Sequence, residues 1–73
     1  MLNKNKLEAV MKEHGDNGGD LSAYLGIARG TFSAKLNEKN GAEFTQSEIS
    51  LIKQRYNLTA ENIDTIFFNI KVS

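Results

Sequence analysis

From residue 29 onward the sequence reads RGTFSAKLNEK, which sets Arg29, Ser33 and Lys35 within about two turns of a helix. An arginine in the first turn of a helix laid in the DNA major groove reaches guanine O6 and N7. That contact is worth about 1–3 kcal/mol of base discrimination. A serine and a lysine further along contact bases or phosphates. The plain alternative is a solvated helix face, on which the same side chains bind nothing. Gly30, Thr31 and Ala34 fall among these residues.

No other constellation supports chemistry. His14 is the single histidine. It falls near a helix C-terminus, where a proton on it is mildly favoured, and no partner for catalysis or metal binding accompanies it. The carboxylates are scattered, and Gly18-Gly19 fits neither the GxGxxG nor the GxxxxGK spacing that cradles phosphate. Cysteine is absent, which excludes disulfides, thiolate zinc and thiol catalysis. The expectation is a chain that is not an enzyme, with no cofactor and no metal.

The 73 residues make one small domain, and 40% hydrophobic with 25% charged residues suits a globular protein rather than a disordered one. No apolar run nears the ~20 residues that span a bilayer. The N-terminus has lysines but no apolar stretch of the kind a secretory signal needs, so a location inside the cell is expected. Nine basic and nine acidic residues cancel, yet they are not evenly spread. Asp16 and Asp20 give residues 16–26 a net −2; Arg29, Lys35 and Lys39 against Glu38 give residues 29–39 a net +2; Glu43 and Glu48 give residues 40–50 a net −2. A basic segment between two acidic ones makes a weak, salt-sensitive field.

The elements that must carry these residues follow from turn and capping signals. A first helix is expected from about Asn3 to His14, capped by Asn3 or Asn5, with Leu7, Val10 and Met11 as its stripe and Gly15 as its stop. A second runs from Gly18 to Leu25 behind the cap Asn17, with Leu21, Tyr24 and Leu25 at helical spacing and Gly26 ending it. A third runs from about Ala28 to Asn37, with Phe32 and Leu36 inward, and a polar loop follows to Glu43. A fourth opens with a Thr45–Glu48 capping box flanked by the staple Phe44 and Ile49, and carries Ile49, Ile52 and Tyr56 inward before Asn57. A fifth opens at Thr59 with the staple Leu58 and Ile63, and Ile63, Ile66, Phe67 and Ile70 form its stripe, with Phe68 off it.

Helices as short as the second and third, joined through Gly26, cross at about 90–120° in a helix-turn-helix. Gly26 permits positive φ, and Ile27 is expected as a buried turn residue. Leu21, Leu25, Ile27, Phe32, Leu36, Ile49 and Ile63 are the expected core. Residues 25–37, LGIARGTFSAKLN, resemble the turn and recognition helix of the Cro/C1-type (XRE-like) helix-turn-helix regulators, and the likeness extends to Asn17–Leu21. The segments LNEKNGAEFTQSEISLI and LTAENIDTIFF are similar to short members encoded by temperate phages of Gram-positive bacteria.

The resemblance implies an all-α, five-helix Cro/C1 repressor-like domain over residues 1–73, with the helix-turn-helix at about 18–37, in the cytoplasm of a bacterial host cell. It implies that Asn17, Asn37 and Lys39 meet the sugar-phosphate backbone, with Arg29, Thr31, Ser33 and Lys35 on the recognition face. Gly18 stands where the family commonly has a phosphate-contacting glutamine, Ser22 where it has alanine, and Gly30 where it often has a base-reading side chain. Two partners follow. One is operator DNA, bound as a dimer so as to block the polymerase. The other is the DNA-binding domain of a phage repressor, which the chain would occlude as an antirepressor. Phe68, Ile70 and Val72 alternate like a strand and are expected to form an association surface.

Overall fold

A computed structural model describes residues 2–68, and these form five α-helices and one 3-10 turn: α1 (Lys4–Glu13), α2 (Gly18–Leu25), α3 (Arg29–Leu36), the turn Lys39–Gly41, α4 (Gln46–Tyr56) and α5 (Ala60–Phe67). The all-α, five-helix fold expected from the sequence is present. Four of the five helices start on a side-chain cap. Asn3 Oδ1 accepts from Lys6 N–H at 3.2 Å, so Asn3 rather than Asn5 opens α1. Asn17 with Asp20, Thr45 with Glu48 and Thr59 with Asn62 form reciprocal capping boxes on α2, α4 and α5. Each satisfies N–H groups that a helix start leaves without partners. The start of α3, at Ala28, has no side-chain cap.

Helix ends are equally local. Gly26 takes φ 74°, which a Cβ would resist, and the Ile27 N–H then donates to Ser22 O at 3.0 Å. That reversal sends α3 off after only Ile27 and Ala28. Asn57, at φ 52°, ends α4 in the same left-handed region. The loop expected between α3 and α4 contains the 3-10 turn, with Glu38 at φ 52° and Asn40 at φ 54°.

The core draws on every helix: Leu7 and Met11, Leu21 and Leu25, Phe32, Ile52 and Tyr56, and Ile63, Ile66 and Phe67. Phe32, Phe44 and Phe67 meet edge to face with ring centres 5.7 and 5.9 Å apart, a favoured aromatic geometry. The α1 start is tied to α5 by the Asn3 N–H, which donates to Ile66 O at 2.6 Å.

Leu21, Leu25, Phe32 and Ile63 are buried as expected, whereas Ile27, Leu36 and Ile49 are only half-buried and pack against the core from its edge. Ile27 sits in the connection itself, so one side of it faces water. Tyr24, expected on the inward stripe of α2, is 39% exposed. Its ring instead lies under the Arg55 guanidinium, 4.7 Å from ring centre to Cζ. No helix among the described residues is long and apolar enough to cross a membrane.

Candidate functional site

α2 and α3 form the most extensive helix pair. Small residues let them close together. Ser22 is buried and spends its hydroxyl on Gly19 O at 3.0 Å, and a Cβ on Gly18 would stand at ordinary contact distance, 3.5 Å, from the Phe32 ring. With Phe32 inward, α3 turns Arg29, Gly30, Thr31 and Ser33 to solvent, and Asn37 follows at its C-cap. Arg29 opens the helix, and its guanidinium lies against the α2 backbone at Gly19. Beside it Gly30 leaves open space: a Cβ there would meet nothing within 4 Å.

Lys35 does not belong to this face. Its ammonium donates to both carboxylate oxygens of Glu48, at 2.7 and 2.8 Å, and its side chain is only 17% exposed. The expectation of an exposed Lys35 reaching a base or phosphate is corrected on that ground. Lys35 follows Phe32 by three residues, so it lies about 60° from Phe32 around the helix axis, on the flank that meets α4. Burial raises the tendency of the Glu48 carboxyl to hold its proton, but the Lys35 ammonium and the Thr45 N–H outweigh it, and its pKa falls below the usual carboxylate value.

The residues expected at the sugar-phosphate backbone have other duties as well. Asn17 Oδ1 accepts from Asp20 N–H at 2.8 Å as the α2 cap. Asn37 donates through Nδ2 to Ser33 O at 2.9 Å, and its Oδ1 accepts from Lys4 Nζ at 2.7 Å. Lys39 is exposed in the 3-10 turn and makes no ion pair among the described residues. Lys4 is an addition that sequence reasoning missed: α1 brings its ammonium to Asn37 at the C-terminal end of α3. Nothing in the spacing signals that pairing, which spans 33 residues.

A second polar cluster, also unforeseen, lies away from α3. Asp16, between α1 and α2, accepts from Arg55 Nε at 2.6 Å and Nη2 at 2.9 Å, and from the Tyr56 hydroxyl at 2.6 Å. The arginine, then the tyrosine, pull the Asp16 carboxyl down to about 2. Burial, then Asp16, push the Tyr56 phenol up. The His14 ring rests 4.8 Å from Tyr56, and its Nδ1 lies 2.9 Å from Val10 O. Through Asp16 this cluster ties α4 to the α1–α2 junction.

Of the expected association surface, Phe68 is 49% exposed at the end of α5. It borders a groove lined by Leu2, Phe44, Ile49 and Phe67. Ile70 and Val72 lie outside the described residues. Comparison with protein-family models, with curated proteins and with solved structures returns no match to this chain.

Proposed function

We propose that the chain is a transcriptional regulator that binds operator DNA by laying α3 in the major groove. The observation that carries this reading is the exposed face of α3: Arg29 in its first turn, beside surface left open at Gly30, on a helix braced from within by Phe32. Ser33 and Thr31 add hydroxyls to that face, while Lys39 and Lys4 at the far end supply cations for the phosphate backbone. The resemblance to Cro/C1-type regulators supports the same reading. Repression is then steric, an occupied operator blocking the polymerase, and a pair of chains on two half-sites supplies the affinity.

A specific observation favours a second reading. Glu48 neutralises Lys35, which takes one of the expected cations from the recognition face. A face so lightly charged also suits a protein partner, the DNA-binding domain of a repressor, with Arg29 meeting its acidic groups. The test is a mobility-shift titration across salt concentrations, using duplexes that the wild-type chain enriches from a randomised library. A parallel titration uses the DNA-binding domain of the repressor from the same genome. Arg29→Ala should weaken specific duplex binding by about 1–3 kcal/mol and nonspecific binding much less. Absence of any salt-sensitive duplex binding by the wild type ends the DNA reading. A loss of about 2–5 kcal/mol against the repressor domain alone establishes the second.

A further inference from the structure

We propose that Gly19 is a positioning residue for Arg29: its missing side chain makes the seat on which the guanidinium is held before DNA is met. The inference rests on the reading that α3 binds DNA, and it goes further by assigning a role to a residue outside α3.

Gly19 is the second residue of α2 and its φ is not positive, so the backbone there does not require glycine. Glycine weakens a helix relative to alanine, and the reason for it must lie in the space around it. A Cβ at position 19 would stand 2.7 Å from both Cζ and Nε of Arg29, with Nη2 also crowding the same point. Three atoms of one planar group within 3 Å of that point mean that the guanidinium fills the space a side chain at position 19 would take. The nearest heavy atoms around that point all belong to Arg29. The neighbouring glycines differ: at Gly18 a Cβ would make ordinary contact with Phe32, and at Gly30 it would meet nothing.

Arg29 is exposed and forms no ion pair among the described residues. A free arginine side chain loses much rotamer freedom when it is fixed on a ligand. Resting on the α2 backbone, it loses part of that freedom in advance. The guanidinium is thereby held at the junction of α2 and α3. An alanine at position 19 displaces only the far end of a flexible, exposed side chain, so the fold tolerates it while the seat is lost.

The experiment is a double-mutant cycle on the full chain with Gly19→Ala, Arg29→Ala and the double variant. Thermal midpoint is measured for each, along with Kd for a duplex enriched by the wild type from a randomised library, at one salt concentration. Gly19→Ala is expected to raise Tm by about 2–6 °C and to weaken duplex binding at least about threefold. In the Arg29→Ala background the same substitution should leave Kd unchanged. A merely structural glycine would lower Tm, or would weaken binding equally in both backgrounds, and either result overturns the proposal. If Arg29→Ala weakens binding while Gly19→Ala does not, the DNA reading stands and the positioning role falls. If the wild type enriches no duplex from the library, the DNA reading fails and this inference with it.

Discussion

Glu48 grips Lys35 through both carboxylate oxygens, at 2.7 and 2.8 Å, while one of those oxygens also accepts the Thr45 N–H at 2.8 Å. One side chain therefore closes the capping box of α4 and ties the last turn of α3 to it. This joint adds to the hold that α2 and the buried Phe32 already have on α3.

Glu48→Ala removes the reciprocal half of the box and leaves the half-buried Lys35 without its counter-ion. A loss of about 1–3 kcal/mol is expected, read from urea denaturation. Lys35→Met should likewise act on stability and leave the slope of log K against log salt for duplex binding unchanged. Lys39→Ala should reduce the magnitude of that slope by about 0.9, the value for one phosphate contact. A slope reduced as much by Lys35→Met as by Lys39→Ala would return Lys35 to the contact surface.

Phe32 is 3% exposed and joins α3 to Phe44 and, through it, to Phe67. Truncation to alanine is expected to cost about 3–5 kcal/mol, a large share of the stability of so small a domain. Circular dichroism melts decide the point: a midpoint within a few degrees of the wild type would place Phe32 outside the core.

Acid should unfold the domain partly through Asp16. Its folded pKa, about 2, lies below the ordinary 3.8, so the stabilisation is fully present above the ordinary value. It is lost as pH falls through the folded value. Asp16→Asn is expected to melt lower than the wild type at neutral pH, with the gap shrinking as the pH is taken down across that window. A gap constant with pH would show that the Arg55 contact does not act through the carboxylate charge.

Gly30→Ala tests the open face directly. Alanine is compatible with the helical backbone and meets nothing within 4 Å, so stability should rise by about 0.4–1 kcal/mol. On a surface that closes tightly on DNA, the added methyl should weaken duplex binding in the same samples. A variant that is both more stable and equally tight would show that nothing approaches α3 closely at that residue.

Much of the fold is legible in neighbouring residues. The Thr45–Glu48 capping box, the caps Asn17 and Thr59 and the glycine at position 26 act over a few residues and are present in the structure. So are Leu7 and Met11, Leu21 and Leu25, and Ile63, Ile66 and Phe67 on the inward sides of their helices. Asn3, one of two caps offered for α1, is the one used. Thr31 and Ser33, about 100° to either side of Phe32, fall on the outer side of α3 by the 3.6-residue period, whereas Arg29, three residues before Phe32, lies about 60° from it on the flank toward α2. The period separates the inner face of a helix from the outer but is silent about its flanks. Lys35, about 60° from Phe32 on the other flank, belongs to whichever neighbour packs there, and that neighbour is α4.

The remaining parts of the site depend on pairs distant in the chain. Asp16 meets Arg55 across 39 residues and Tyr56 across 40, and Lys4 meets Asn37 across 33. Gly19 reads as a weak point of α2 until Arg29 is seen to occupy its space. Tyr24 leaves the inward stripe because Arg55 arrives from α4 to cover its ring. Caps and periodicity are set by the backbone within one turn, so a single sequence displays them. Which side chain fills a gap on another helix is set by the angle and depth at which the helices pack, and that depends on the whole core closing at once.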